Sequence, residues 1–227
     1  RASGKSRNSA SRPAECRLRV YMSGALTGLP DDIRRRQLER YELVQRTCAS
    51  EGYECYCPHQ HSDPVQDKDM TPAEVHGLDS TNVRVSDLII ADCTEPSFGV
   101  GIEAQMADGN DTPVLLIAQQ GKPVSRLIRG IPNVVKLGPD ADMIVFPTDE
   151  VLMRRLSEEL RALRPRLAEA KRRRLEQETS VTALTEYART RGITFERHRQ
   201  LGAAVAAVGA KRPATVAEWE QLDQELD

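Results

Sequence analysis

No stretch of this 227-residue sequence approaches the roughly 20 consecutive apolar residues that a membrane-spanning helix needs, so no part of it reads as crossing a bilayer. The opening residues lack the apolar core of a secretion signal. Residues 1–16 are small and polar, rich in Ser and Arg, and read as a disordered segment. Five cysteines (Cys16, Cys48, Cys55, Cys57 and Cys93) are odd in number and lack the spacing of a disulfide framework, which points to reduced thiols and a cytoplasmic setting. Neither sign of charge dominates: 32 Lys and Arg against 34 Asp and Glu leave a formal charge of −2. No global field therefore draws in nucleic acid or an anionic membrane, and neither is an expected partner. No internal repeat is visible. At 39% hydrophobic and 29% charged, the chain reads as globular, with length for one ordinary domain and an appendage.

The order of elements is legible from hydrophobic periodicity. Arg17–Met22 reads as a short strand broken by Ser23-Gly24-Ala25-Leu26-Thr27-Gly28, and 31–50 as an amphipathic helix with Ile33, Tyr41, Val44 and Cys48 inward, stopped by Gly52. A strand over 53–57 ends at Pro58. Thr71-Pro72-Ala73-Glu74 combines a capping residue, a first-turn proline and a glutamate three residues on, so a helix starts there and runs to about Ser86. Asp87–Ala91 and Pro113–Ala118 are apolar enough to be buried strands, with a helix starting near Ile102 between them. Val134–Leu137 and Met143–Phe146 are shorter strand candidates. Continuous apolar strands alternating with helices predict an α/β fold: a doubly wound, mainly parallel five-stranded sheet, Rossmann- or flavodoxin-like, over residues 17–150. From 151 to 227 the composition turns charged and helical, giving an appendage with a long helix over 151–178 interrupted near Pro165. Further helical segments follow over 181–191, 195–208 and 215–226.

In such sheets ligands sit beyond the carboxyl ends of the strands. The two glycine-bearing loops, after Met22 and after Ala91, lie at that edge. The second, Glu95-Pro96-Ser97-Phe98-Gly99-Val100-Gly101-Ile102-Glu103, leads from a buried strand into a helix, and its glycines allow close backbone approach to a ligand. Glu103 then falls in the first helical turn, where the dipole would hold a carboxylate ionised. An ionised carboxylate suits a nucleophile attacking an anomeric carbon, with a second carboxyl helping the leaving group. The plainer alternative is a strand-to-helix turn with a dipole-favourable glutamate.

From Arg19 to about Phe146 the sequence resembles the nucleoside 2-deoxyribosyltransferase superfamily, and within it the 2'-deoxynucleoside 5'-phosphate N-hydrolases. The resemblance is carried by Val20-Tyr21-Met22-Ser23-Gly24, by Asp79 ahead of Leu88-Ile89-Ile90-Ala91, by Pro96 through Glu103, and by Ser125-Arg126-Leu127-Ile128-Arg129-Gly130. It implies hydrolysis of the N-glycosidic bond of a (deoxy)nucleoside 5'-monophosphate, with Glu103 as nucleophile, Asp79 as second carboxylate, and Tyr21 and Gly24 lining the sugar and phosphate end. It also implies 5'-phosphate contacts from Ser97 with its Gly99 and Gly101 loop, and from Ser125 of a neighbouring subunit, hence a homodimer or higher oligomer with shared sites. No cofactor or metal is implied. One departure stands out: the branch carries Ser-Ile-Arg-Gly where this chain has Ala25-Leu26-Thr27-Gly28. Thr27 replaces the phosphate-pairing arginine, unless Arg34, Arg35 or Arg126 substitutes.

Two other functions compete: a base-exchanging deoxyribosyltransferase, and a non-catalytic nucleotide sensor, against which the presence of both Asp79 and Glu103 argues. A cytokinin-type phosphoribohydrolase is disfavoured because its Gly-Gly-x-Gly-Thr signature is missing. Cys55-x-Cys57-x-His59-x-His61 alternates four metal-ligand types, but on a strand they would share one face without closing a tetrahedron. Partly buried cysteines and loop histidines near the pocket are the preferred reading, with a nucleobase contact by His59 or His61 the lesser alternative. Cys93 has no local base partner and reads as a packing residue. Lys171-Arg172-Arg173-Arg174 reads as a solvated face offset by Glu169, Glu176 and Glu178, and Trp219 as the anchor of the last helix.

Overall fold

A computed structural model describes residues 17–208 and 212–226; the segment read as disordered, 1–16, lies outside the described residues. Five strands, β1 (Leu18–Ser23), β2 (Tyr53–Tyr56), β3 (Leu88–Asp92), β4 (Val114–Gln119) and β5 (Met143–Phe146), form one sheet in the order β2-β1-β3-β4-β5. Every pairing is parallel, with Tyr21 of β1 opposite Tyr56 on one side and Ile89 on the other. The expected doubly wound α/β sheet is present. Strand order reverses between β1 and β3, which makes their carboxyl ends the topological switch point.

Side chains alternate across the sheet and so feed two apolar layers. Leu18, Val20, Met22, Leu88, Ile90, Leu115, Ile117, Ile144 and Phe146 face helix α1 (Asp31–Ser50) and the start of α5 (Asp149–Arg191). On α5, Leu152, Leu156, Leu160, Leu163 and Leu167 repeat at three- and four-residue spacing, so one stripe is buried, each leucine contributing about 1.5–3 kcal/mol. Tyr21, Ile89, Ala91, Val114 and Leu116 face the opposite layer, built by α2 (Pro72–Val85) and α3 (Phe98–Asp108). That second layer holds the residues singled out as catalytic.

Three expectations change. Val134–Leu137 is not a strand; Val134 makes one bridge to Val114, and the chain turns away. Pro165 does not interrupt the long helix, and the two segments expected over 151–178 and 181–191 are one helix. Proline there removes a helical hydrogen bond, but Leu163 and Leu167 are buried on either side and Tyr53 donates to the Leu160 carbonyl at 2.7 Å, which hold the turn in place. Lastly, α3 starts at Phe98, four residues before the expected Ile102.

The chain divides into two compact units, one ending at Leu167 and the other running from Ala168. The second comprises the end of α5, α6 (Phe195–Val208) and α7 (Val216–Glu225). Its own small core is Ala183, Leu184, Tyr187, Leu201 and Trp219, with the indole donating to the Ser180 carbonyl at 3.1 Å. Thr215 and Glu218 form the expected capping box of α7. Arg172 and Arg173 pair with Glu169, consistent with a solvated basic run.

Candidate active site

Tyr21 and Ser23 lie two residues apart at the end of β1, so both side chains leave the same face of the sheet. Helix α3 crosses that face. Its N-terminus is fixed by Ser97, whose hydroxyl accepts from the Val100 amide at 3.4 Å. From a start at Phe98, Glu103 falls in the second turn and points back at β1. The Tyr21 hydroxyl donates to Glu103 Oε1 at 2.8 Å and the Ser23 hydroxyl to Oε2. Helix α2, started by the Thr71–Glu74 capping box, brings Asp79 to the same place. Asp79 faces both groups closely enough to raise the pKa of Glu103 and of Tyr21.

The electrostatics correct the expectation of a carboxylate held ionised by the helix dipole. Glu103 is beyond the first turn, where the dipole field has fallen off. Burial instead pushes its pKa up to about 7; the Ser23 and Tyr21 hydrogen bonds pull downward and the Asp79 charge adds to the rise. Burial likewise raises Asp79, opposed by the Tyr21 and Ser62 hydroxyls and by His76. Tyr21 is driven far above its ordinary value by burial and by Glu103 and Asp79, so it stays a hydrogen-bond donor. Two carboxyl groups that both resist ionisation share one corner, an arrangement typical of acid–base and nucleophilic sites. Asp79 Oδ1 is buried and accepts no hydrogen bond.

The remaining candidates fall into two groups. Gly24 sits under Tyr41: a Cβ there would lie 2.2 Å from the Tyr41 ring, so only glycine lets the loop pass. Thr27 is exposed beside Gly28, whose φ of +73° is left-handed. Ser97, Gly101 and Ser125 instead line a cavity of about 820 Å³ with Cys93, Phe98 and Leu127. Gly99 lies in the first turn of α3, its Cβ direction 3.5 Å from the Ser97 hydroxyl. The two serines expected to contact phosphate from different subunits thus border one cavity of a single chain. Ser125 caps the four-residue helix α4 (Arg126–Arg129) by accepting from the Leu127 amide. Of the arginines offered in place of Thr27, Arg34 is committed to the buried Asp63, while Arg35 and Arg126 are exposed.

Among the described residues no group of three or more His, Cys, Asp or Glu could hold a metal ion, and the Cys55–His61 motif forms no such centre. Cys55 and Cys57 lie with sulfurs 4.0 Å apart. Burial pushes the Cys93 thiol up to about 12, which suits packing and not nucleophilic attack. Two contributors were not singled out from sequence. The glycines that follow Ser23 make it look like loop, although strand alternation from Tyr21 puts it beside the same partner. Tyr56 stacks on Tyr21 with ring centroids 5.6 Å apart, and its hydroxyl is buried without a partner.

No family model matches the chain. Over 123 residues, half of this chain, it is 31% identical to 5-hydroxymethyl-dUMP N-hydrolase of Esox lucius and covers 79% of that protein. Over 118 residues, 51% of this chain, it is 30% identical to a Methanosarcina barkeri protein with the provisional name 2'-deoxynucleoside 5'-phosphate N-hydrolase 1, covering 70% of it. The chain belongs to the nucleoside 2-deoxyribosyltransferase superfamily. Clostridium botulinum CMP N-glycosidase superposes with a TM-score of 0.46 at 20% identity, covering 62% of this chain and 98% of the other. No helix of the described residues is long and apolar enough to cross a membrane.

Proposed function

We propose that the chain is a nucleotide N-glycosidase that hydrolyses a (deoxy)nucleoside 5'-monophosphate to free base and sugar 5-phosphate, with Glu103 as nucleophile. The observation that carries this reading is the seating of Glu103: each carboxyl oxygen receives one hydroxyl, from Tyr21 and Ser23, and a second carboxyl group stands beside it. The names of the relatives, both N-hydrolases of nucleotides, point the same way. In the working form the two carboxyl groups share one proton, and the reactive arrangement is the one with Glu103 ionised and the proton on Asp79. A Glu103 oxygen bonds to the anomeric carbon as the C–N bond breaks, and the base leaves with its electron pair and the Asp79 proton. Water then attacks the same carbon, gives a proton to Asp79 and releases Glu103. Hydroxyl donors hold the nucleophile without neutralising it, and Tyr21 cannot compete as an acid because its own ionisation is so strongly opposed.

Ser97 in the α3 cap offers its hydroxyl toward the phosphate end. Exposed apolar side chains at the mouth of the Ser97–Ser125 cavity, Phe98 at 92% and Leu127 at 85%, suit contact with a second copy, and the working unit in this reading is a homodimer.

Incubation with deoxynucleoside and ribonucleoside monophosphates, followed by chromatography of the products, tests the activity. Free base plus sugar phosphate is expected. Base exchange only in the presence of an added acceptor base would favour the transferase instead. Glu103→Ala is expected to lower kcat/KM more than about 10⁴-fold and Asp79→Asn by about 10²–10⁴-fold. Ligand binding with no turnover in either wild type or Glu103→Ala would make the chain a sensor. Because the ionised nucleophile and the acid's proton must both come from that one-proton pair, kcat/KM should fall as pH rises through about 7, where the last proton is lost. A limb at the ordinary glutamate value would sink the assignment.

A further inference from the structure

A line of buried hydrogen bonds runs beneath the carboxyl edge of the sheet and ends at the two loops that hold Glu103. Arg40 Nη1 lies 3.3 Å from Asp92, the last residue of β3, and also donates to Gln37 Oε1 one turn earlier in α1. Gln37 Nε2 donates to the Tyr41 hydroxyl at 3.4 Å, and that hydroxyl donates to the Ala25 carbonyl at 3.2 Å. Asp92 accepts from the Thr94 amide at 2.8 Å, and Thr94 Oγ1 from the Gln119 amide at 3.1 Å. Gln37, Arg40, Tyr41, Asp92 and Thr94 are all buried, none more than 6% exposed. Stability alone does not call for such a network, because apolar residues of similar volume often serve it as well or better. Its ends are more telling. The Tyr41 ring lies against Gly24 and its hydroxyl on Ala25, so one side chain fixes the backbone just past Ser23. Ser23 is the residue whose hydroxyl donates to Glu103 Oε2. At the other end Asp92 holds Thr94, three residues before Ser97, the cap of the helix that carries Glu103. Donor and acceptor of the Ser23–Glu103 bond are thus tied to one network.

We propose that Tyr41 is a positioning residue of the active site: by holding the Ala25 carbonyl it fixes the Ser23 hydroxyl on Glu103, and Gln37, Arg40 and Asp92 keep that loop in register with the start of α3. The inference rests on the glycosidase reading for its catalytic meaning. The Ser23 bond opposes burial and pulls the Glu103 pKa down, so a loosened loop lets that pKa climb. Glu103 is also faced by Tyr21 of β1 and Asp79 of α2, with Tyr56 of β2 and Tyr41 of α1 within electrostatic reach. Burial raises the pKa of all three tyrosines, so they stay neutral and Asp79 alone adds a charge. Tyr41→Phe leaves those neighbours in place and the ring against Gly24, and removes only the donor to Ala25.

Carbon NMR of chains labelled at the glutamate side-chain carboxyl, assigned with Glu103→Gln, follows Glu103 ionisation without any turnover. In Tyr41→Phe the Glu103 midpoint is expected to rise by about half a pH unit or more, as in Ser23→Ala, and to rise no further when the two substitutions are combined. On a monophosphate, kcat should fall about 3- to 30-fold in Tyr41→Phe, and should change less than about 2-fold when Tyr41→Phe is added to Ser23→Ala. An unchanged midpoint with only a lower melting temperature would make the hydroxyl a packing group and overturn the proposal. A further rise in the Ser23→Ala background would also overturn it, since Tyr41 would then act by another route. Should Tyr41→Phe not fold, Gln37→Leu, which frees the hydroxyl from its tie to Arg40, carries the test: a raised midpoint supports the proposal and an unchanged one overturns it. If wild type cleaves no nucleotide, the glycosidase reading fails, and the midpoints still decide whether Tyr41 seats the carboxyl.

Discussion

A carboxyl group kept half-buried between two hydroxyls is useful chemically and costly to the fold. The folded chain holds the Glu103 proton up to about pH 7, whereas the unfolded chain releases it near the ordinary value of 4.5. Below that lower value the group costs nothing; as pH rises from there to about 7 stability is lost, and above it the loss is constant. Glu103→Gln, which mimics the protonated form, should therefore raise unfolding free energy at pH 8 by about 1–3 kcal/mol relative to its effect at pH 4. Denaturant titrations at the two pH values measure this, and an equal effect at both would show that the carboxyl is not held protonated. Gly24 imposes a different constraint. With the Tyr41 ring 2.2 Å from any Cβ, and Tyr41 donating to the Ala25 carbonyl, Gly24→Ala must displace either the ring or the loop after β1. A loss of about 1–3 kcal/mol is expected, as for other overpacked sites, and shrinking Tyr41 to leucine in the same chain should recover part of it.

At the scale of elements, one arginine joins three of them. Arg40 of α1 is 6% exposed; its Nε donates to Asp149 at the start of α5 at 2.7 Å, and its Nη1 lies 3.3 Å from Asp92 at the end of β3. Asp92 is fully buried, and its own pKa is raised by that burial. Arg40→Met should destabilise the chain by about 3–5 kcal/mol, because it leaves Asp92 as an unpaired buried charge. The double variant with Asp92→Asn should be less unstable than the single one, and a simple sum of the two losses would refute the coupling. None of this network was visible in the sequence, since pairing between α1, β3 and α5 depends on the layer order. The strands themselves were legible, because all-parallel strands buried on both faces read as short apolar runs. Tyr21, Asp79 and Glu103 are nominated by spaced blocks that resemble the superfamily, and the fold brings the three side chains together. The misplaced start of α3 has a local cause: Gly99 and Gly101 look like loop residues, but the Ser97 cap and the Gly101 amide bonded to the Ser97 carbonyl carry the helix through them. That displacement moved Glu103 out of the first turn and reversed the expected sign of its pKa shift. Thr71 and Glu74, by contrast, gave the start of α2 correctly because a capping box is written in four consecutive residues.

For the whole molecule, the proposed homodimer makes a sharp expectation. Phe98, Leu127 and Ile102, which is 54% exposed, border the cavity that is lined by Ser97 and Ser125 but by neither Asp79 nor Glu103. Phe98→Asp should convert a dimer to a monomer in sedimentation analysis and raise KM for a monophosphate, with little change in melting temperature because the side chain is already in water. A wild-type chain that sediments as a monomer would remove the shared-site part of the proposal. The placement of β1 has a consequence for motion. Strand β1 is made first but lies between β2 and β3, and β3 is translated only after β2, α1 and α2. Its amides are shielded by neighbours on both edges, so their hydrogen exchange should require opening of the entire sheet, whereas β2 and β5 at the margins can exchange by fraying. Tyr21 and Ser23, which seat the Glu103 carboxyl, would thus ride on the slowest-exchanging strand of the protein, and Tyr56, stacked on Tyr21, on one of its most yielding.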